Sequence, residues 1–275
     1  MPELPEVETI KIGLETKILN KKITNFYRSN KSLREDSEIN LEKIRNTSFI
    51  KIIRRARYII LENDSNHCLL IHLGMSGRII SQNNDILQYK RQKHDHFILE
   101  LNKSSIIIFN DPRRFGFIDL IHKKNIENHK YLRNLGPEPF DKNFDKFYLQ
   151  NKLKNISKNI KTTIMDNKIV VGVGNIYANE SLFMSGILPT KPANLLNIYE
   201  IENLIVAIQY ILKKAIEAGG SSINDYVNSN GELGNFQNNF KIYGQEAKNC
   251  VQCNKIILRI IQNGRSTFFC KKCQK

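Results

Sequence analysis

The spacing of apolar residues divides the chain into an N-terminal helix, a run of strands and a run of helices. A helix over about residues 5–19 is predicted because apolar side chains recur there at helical spacing. Pro5 suits the first turn of such a helix, and Glu6 and Glu8 would lie at the positive end of its dipole. The next stretches, to about residue 121, are short, rich in Ile and interrupted by Asn, Ser, Gly or Asp: 49–62, 67–73, 96–101, 105–110 and 115–121. Strands in succession without helices between them predict an antiparallel sandwich or barrel.

The pattern changes after the linker-like stretch LGPEPF at 135–140. Helical spacing then returns, and it predicts helices over 144–153, 175–186 and 198–220. Gly219 and Gly220 supply a C-terminal stop for the last of these. The polar stretch 221–239 is rich in Gly and Asn and predicts a loop.

The net charge of the chain indicates what kind of molecule the protein binds. The chain has 275 residues, and its 42 Lys and Arg against 27 Asp and Glu give a formal net charge of +15. A protein this basic commonly binds a polyanion, and nucleic acid fits better than a membrane surface because no basic amphipathic helix stands out. The sequence shows neither a membrane-length apolar run nor a secretory signal, so we expect a protein of the bacterial-type cytoplasm or an equivalent reducing compartment.

Four cysteines near the C-terminus have the spacing of a zinc site. Two C-x2-C pairs are separated by 16 residues, and their members are Cys250, Cys253, Cys270 and Cys273. Two such knuckles offer four thiolates to one tetrahedral Zn2+. The alternative, a pair of disulfides, is disfavoured in a reducing compartment. The fifth cysteine, Cys68, lies in an apolar strand and is interpreted as a core residue.

Between the cysteine pairs the pattern predicts a hairpin with Asn263-Gly264 as its turn. Arg265 stands beside that turn, where a solvated position and a phosphate contact are the two alternatives. A second candidate phosphate site is the glycine-bearing loop before Asn175, which we interpret as the N-cap of the following helix.

Two further turns carry large side chains after strands. HLGMSGR (72–78) presents Met75, and NDPRRFGF (110–117) presents Arg113 and Phe115. Such side chains either pack in the core or enter a DNA stack to fill the gap left by an extruded base. The KHDH stretch at 93–96 is too small a cluster to indicate a metal, and a phosphate contact is the better interpretation.

Together these motifs resemble the formamidopyrimidine-DNA glycosylase family along essentially the whole chain. The matching stretches occur in the family's order: PELPEVET, RRARY, HLGMSG, KHDH, DPRRFG, LGPEP, MDNKIVVGVGNIYANE and GRSTFFCKKC. The resemblance implies that Met1 is removed and that the amine of Pro2 is the nucleophile. An α-amino group titrates near ~7.7–8.0, so more of it is neutral at physiological pH than of a Lys side chain. By the same resemblance Glu3 protonates the opening sugar ring, and Glu6 orients the sugar.

The resemblance also assigns the DNA contacts. Met75, Arg113 and Phe115 match the residues that fill the void, with Arg113 facing the orphaned base. His94 and Lys161 match backbone contacts, although Lys154 and Lys158 compete with Lys161. Asn175 and Arg265 match the residues that hold the phosphates flanking the lesion, and 221–239 matches the loop that covers the flipped base.

One position departs from the family pattern. Arg57 stands in RRARY where the family usually has a catalytic lysine linked to β-elimination. Arginine keeps the charge and binds phosphate, but it does not readily give up a proton. Base excision is therefore expected to survive, while strand cleavage is expected either to be slower or to rely on another acid.

The sequence thus predicts an α+β multidomain protein, and all the catalytic parts lie on one chain, so we expect a monomer. Its parts are an N-terminal β-sandwich domain (1–133), a helix-two-turns-helix domain (134–239) and a zinc hairpin (240–275). The predicted activity is excision of 8-oxoguanine and formamidopyrimidines from duplex DNA, followed by β,δ-elimination. The alternatives are an endonuclease VIII-like preference for oxidised pyrimidines and a protein that only binds damaged DNA.

Overall fold

We describe the chain from a computed structural model that covers residues 2–34, 39–221 and 234–275. The chain folds into two compact units. The first comprises Met1–Arg133 and Gly219–Asn235, and the second comprises Asn134–Ala218 and Phe236–Lys275. Most of the loop predicted over 221–239, from 222 to 233, lies outside the described residues.

The first unit contains one helix and two antiparallel sheets. Helix α1 is Leu4–Ile18, with Pro5 in its first turn as predicted. The strands are β1 (Ile23–Arg28), β2 (Phe49–Arg55), β3 (Tyr58–Asn63), β4 (His67–His72), β5 (Arg78–Gln82), β6 (Asp95–Leu101), β7 (Ser105–Asn110) and β8 (Phe117–His122). One sheet has the order β2-β3-β4-β8 and the other β1-β6-β7-β5.

A single apolar core joins both sheets and α1, which confirms the predicted sandwich. The core takes Ile59 and Ile71 from one sheet, Leu99 and Phe109 from the other, and Leu14 from α1. These side chains are buried because strands with one face on a core place alternate residues inward. Cys68 is 2% exposed, as expected of a core residue.

The stretch 49–62, which the pattern presents as one unit, is two strands. Strands β2 and β3 pair antiparallel, and Arg55 lies opposite Tyr58. Ala56 occupies the turn with a φ of +52°. The apolar run hides this turn because neither turn residue is Gly, Asn or Pro, the usual sequence signals of a tight turn.

The second unit is helical and ends in a hairpin. Its helices are α2 (Lys146–Leu153), α3 (Ile160–Ile164), α4 (Asn175–Met184) and α5 (Ile198–Glu217), and its strands are β9 (Leu258–Gln262) and β10 (Arg265–Phe269). The pattern missed α3, which is too short to show helical spacing. The Asn263-Gly264 turn is confirmed, and both residues have the positive φ that a tight hairpin turn requires (48° and 70°). None of the helices in the described ranges is both long and apolar enough to cross a membrane.

Candidate active site

The start of α1 carries the three N-terminal candidates. Pro2 and Glu3 are buried, and Glu3 is the N-cap of α1. Glu6 is 3% exposed, and its Oε2 accepts a hydrogen bond of 2.8 Å from the Glu3 N–H. The positive end of the α1 dipole lies at these residues. The arrangement places the Pro2 nitrogen directly before two buried carboxyl side chains in the chain.

The turn that carries Arg57 is tied to the same helix. Arg54 Nε donates to Glu8 Oε2 of α1 at 2.6 Å, and an Arg54 guanidinium nitrogen donates to the Ala56 carbonyl at 3.1 Å. The Arg54 side chain is only 8% exposed. A charge-assisted bond in so dry a place holds its partners firmly. It fixes the turn at Ala56–Arg57 relative to α1, a contact that sequence spacing did not reveal.

His72 at the end of β4 is held neutral. Burial and the positive charge of Arg57 lower the pKa of His72 to about 4. Its Nδ1 accepts the Gly74 N–H at 3.1 Å, which requires an unprotonated nitrogen. A neutral His72 thereby supports the first turn of the loop that presents Met75.

Met75, Arg113 and Phe115 project from loops, so the interpretation of Met75 and Phe115 as core side chains is wrong. Met75 is 40% exposed and Phe115 is 46% exposed. The Arg113 guanidinium carbon lies 5.2 Å from the centre of the Phe115 ring. An exposed cation above an exposed ring is an arrangement suited to stacking against bases.

Asp111 joins the two loops and was not singled out from the sequence. Asp111 is fully buried; its Oδ1 accepts the Ser76 hydroxyl at 2.6 Å and its Oδ2 accepts the Gly116 N–H at 2.8 Å. The Ser76 hydroxyl oxygen in turn accepts the Arg113 N–H at 3.1 Å. The signal was present in the Asp-Pro pair of NDPRRFGF, since Asp commonly organises the turn that follows it.

In the KHDH stretch, two side chains are buried and hydrogen-bonded within the protein, and one histidine is half-buried. His96 is buried, and its Nε2 lies 3.0 Å from the Asp111 carbonyl oxygen. Asp95 is buried and accepts a hydrogen bond from the Asn110 side chain at 2.8 Å. His94 is half-buried, which leaves part of it accessible to a ligand.

In the second unit, Lys161 connects three elements. Lys161 is 1% exposed, and its Nζ donates to Asn175 Oδ1 at 2.6 Å, to Thr267 Oγ1 at 2.7 Å and to the Ser266 carbonyl at 3.1 Å. Asn175 Nδ2 donates to that same carbonyl at 3.2 Å. These three acceptors surround an ammonium that has three protons to donate. The residue binds α3, the start of α4 and β10 together.

The interpretation of Asn175 as the N-cap of α4 is wrong. Gly174 is the N-cap, and Asn175 is the first helical residue. The Asn175 side chain has a different task, since it reaches across to Lys161 and β10. Sequence reasoning prefers Asn over Gly at a cap because a side-chain oxygen can satisfy free N–H groups, and here the tertiary contact outweighs that gain.

The four predicted zinc ligands converge. Their Sγ atoms all lie within 4.8 Å of one another, and Cys253 Sγ is 3.4 Å from Cys270 Sγ. The Cys250 and Cys273 Sγ atoms are 3.8 Å apart. A tetrahedron with Zn–S bonds of about 2.3 Å needs sulfurs at about this separation, so the donor set fits one structural zinc. Arg265 is exposed at the first position of β10, beside the hairpin turn.

Three family models together match most of the chain. The Formamidopyrimidine-DNA glycosylase N-terminal domain matches residues 1–118, the H2TH domain of the same family matches 135–227, and the zinc finger found in FPG and IleRS matches 248–275. The chain belongs to the formamidopyrimidine-DNA glycosylase family. The α+β architecture and the structural zinc predicted from the sequence are confirmed.

Two relatives are similar in sequence to this chain over its full length. The formamidopyrimidine-DNA glycosylase of Rickettsia bellii is 44% identical and that of a Wolbachia from Culex pipiens is 46% identical, each covering all of both chains. Among solved structures, the Lactococcus lactis formamidopyrimidine-DNA glycosylase bound to N7-benzyl-Fapy-dG DNA has a TM-score of 0.88 at 33% identity, again over both whole chains.

Proposed function

We propose that this member of the family excises oxidised purines from duplex DNA and then cleaves the abasic strand. The observation that carries the proposal is the tip of α1, where the amine of Pro2 precedes two buried carboxylates, Glu3 and Glu6. The full-length likeness to formamidopyrimidine-DNA glycosylases supports it, including one solved with Fapy-dG DNA.

The reaction follows from these groups. Once Met1 is removed, the Pro2 nitrogen attacks the sugar C1′ and the bond from C1′ to the base nitrogen breaks. The base leaves with the proton that the Pro2 nitrogen gives up. Glu3 donates a proton to the ring oxygen as the sugar opens, which leaves an iminium on Pro2. Loss of the C2′ proton then expels the 3′ phosphate, and a second elimination expels the 5′ phosphate. Glu6 orients the sugar, and Arg57 binds phosphate beside it.

The remaining site residues are proposed to bind DNA. Met75, Arg113 and Phe115 fill the gap left by the flipped base, and their exposure in two loops supports this role. His94, Asn175 and Arg265 contact phosphates. The burial of Lys161 adds a second task to its expected backbone contact, because it also holds Asn175 and β10 in position.

We also propose how the molecule is organised and where it works. Residues 1–133 form the catalytic part, 134–239 the helix-two-turns-helix part and 240–275 the zinc hairpin, all in one monomer. Its site of action is the bacterial chromosome, which fits its charge of +15.

Borohydride trapping on an 8-oxoguanine:cytosine duplex tests the proposal. Reduction of the iminium should fix a covalent protein–DNA adduct, and mass spectrometry should place it on Pro2. The Pro2→Gly variant, which keeps an N-terminal amine but loses the ring, should give much less adduct and slow lyase activity. A protein that binds the duplex without forming an adduct would instead be the binding-only alternative.

Oxidised pyrimidines are a second candidate substrate. The Lactococcus lactis relative has also been solved with DNA containing an oxidised pyrimidine. Rates of excision of 8-oxoguanine and thymine glycol, measured in the same duplex sequence, compare the two. Faster excision of thymine glycol would assign the protein to the pyrimidine-directed preference.

A further inference from the structure

Gly220 and Ser221 on one side and Gly234 and Asn235 on the other form a narrow backbone neck in the first unit. Ser221 and Asn235 form an antiparallel bridge across this neck, and Ser221 is 6% exposed. A Cβ added to Gly234 would lie 2.4 Å from the Gly220 carbonyl oxygen, so the two sides of the neck touch through their backbones. The position of Gly220 and Ser221 is thereby fixed from within the unit.

This neck is joined to the catalytic tip through one carboxylate. The Ser221 N–H donates to Glu6 Oε1 at 2.8 Å, while the Glu3 N–H donates to Glu6 Oε2 at 2.8 Å. Both oxygens of a buried carboxylate are therefore oriented by backbone donors, one from the neck and one from the residue after Pro2. Short charge-assisted bonds of this kind fix direction as well as distance.

Gly220 is placed where a side chain would displace that carboxylate. A Cβ there would lie 3.0 Å from both Cγ and Oε1 of Glu6 and 3.3 Å from its Cα. Gly220 also has a φ of +83°. Its neighbour Gly219 has nearly the same backbone requirement, with a φ of +75°, but a Cβ at Gly219 would meet nothing closer than 3.8 Å. A substitution at either glycine therefore strains the backbone, but only a substitution at Gly220 also brings a side chain against Glu6.

We infer that the Gly220–Ser221 backbone positions the Glu6 carboxylate and, through it, the Glu3 backbone next to Pro2. Gly220 is then a positioning residue for the reaction, distant in sequence from every catalytic group. The inference rests on the proposed function, since it assigns Gly220 a role only if Pro2, Glu3 and Glu6 perform the chemistry.

The test compares Gly220→Ala with Gly219→Ala. Both variants place alanine at positive φ and should lose similar thermal stability, which serves as the folding control. Gly220→Ala should reduce the single-turnover rate of 8-oxoguanine excision about 100-fold, with DNA affinity within about threefold of wild type, because misplacing a catalytic group by about 1 Å costs that much. Gly219→Ala should stay within about threefold in both measurements. Equal rates for the two variants would overturn the inference.

A double-mutant cycle with Glu6→Ala tests whether Gly220 acts through the Glu6 side chain. Truncating Glu6 removes the Cγ and Oε1 that the new methyl group would meet, so Gly220→Ala should cost less than about threefold in that background. A penalty that persists without the Glu6 side chain would show that Gly220 acts by another route. The wild-type adduct is measured alongside: no wild-type adduct refutes the proposed function, whereas a normal adduct with an inert Gly220→Ala change refutes only the positioning role.

Discussion

At the scale of single residues, the chemistry of this protein depends on where ordinary side chains are buried. Glu3, Glu6 and His72 are common residues whose surroundings differ sharply from water. His72 is neutral because burial and the nearby charge of Arg57 oppose a second proton. The same charge that suits phosphate binding thus also preserves the acceptor that supports the loop of Met75.

The depressed pKa of His72 predicts a pH-dependent stability. The folded-state pKa is about 4 against an ordinary value of 6.5, so the unfolded chain binds more protons between these limits. Above pH 6.5 the titration of His72 does not reduce the free energy of unfolding. As the pH falls towards 4 it lowers that free energy by up to about 3 kcal/mol. Urea unfolding from pH 4 to 7 should show this slope, and His72→Gln should flatten it. An unchanged slope in that variant would mean that another group titrates.

Arg57→Lys should restore a group able to exchange protons at the position where the family usually has lysine. We expect β-elimination at a preformed abasic site to become several-fold faster, because lysine can act in proton transfer and arginine cannot. Base excision should change by less than about threefold. Separate single-turnover assays on abasic and 8-oxoguanine duplexes measure the two steps, and an unchanged or slower elimination step would show that arginine suffices here.

At the scale of elements, buried polar side chains decide how helices and the hairpin are joined. Lys161 and Asn179 both reach β10, the first through Thr267 and Ser266 and the second through the Phe268 N–H at 2.7 Å. These bonds connect the start of α4 with the strand that presents Arg265.

Lys161→Met tests this connection. Methionine is of similar length but has no donors, so Asn175, Ser266 and Thr267 lose a shared partner, a change of the kind that costs about 1–3 kcal/mol. We expect a lower melting temperature and at least tenfold weaker binding to an abasic-site duplex. Lys158→Met is the matched control, since Lys158 is exposed and lines the same 460 Å³ cavity as Lys161 and Arg265. Equal losses for both variants would assign Lys161 only a charge effect.

The zinc hairpin should depend on its metal. Four thiolates crowded within 4.8 Å repel one another once ionised, and the segment has few apolar residues to hold it otherwise. Chelation should unfold residues 248–275 and abolish binding to damaged duplex, with one zinc released per chain. Circular dichroism and a colorimetric zinc assay follow the two events. Full DNA affinity in zinc-free protein would contradict this expectation.

At the scale of the whole molecule, the net charge of +15 sets the response to salt. Each phosphate neutralised by a Lys or Arg releases counterions, so affinity should fall linearly with salt on logarithmic axes. Between about 50 and 200 mM salt we expect at least about tenfold weaker binding, and Arg265→Ala should lower the slope by about 1. Fluorescence anisotropy with a labelled abasic duplex measures both quantities. An affinity insensitive to salt would exclude phosphate contacts as its source.

Sequence patterns predicted the helices and strands whose apolar residues recur at regular spacing and missed those whose apolar residues do not. Helix α1, most of the sandwich strands and the zinc hairpin follow from apolar spacing, cysteine spacing and the Asn263-Gly264 turn, whereas β1 and β5 lie outside the stretches singled out. Helix α3 and the turn at Ala56 escaped, because five residues and a residue without turn preference leave no periodic signal. The N-cap of α4 was misassigned because the Asn175 side chain is used in a contact distant in sequence.

By itself, the sequence determined which chemical groups this protein has: a proline followed by two nearby acids, four paired cysteines, apolar and cationic side chains in two turns, and an excess of positive charge. Residue type and short spacing suffice for these because they act within a few residues of one another. Only the tertiary structure decided that Asp111 joins the two loops, that Lys161 is buried among acceptors and that Gly220 touches Glu6. Those facts depend on contacts between residues far apart in the chain, and no local pattern records which distant backbone a side chain will meet.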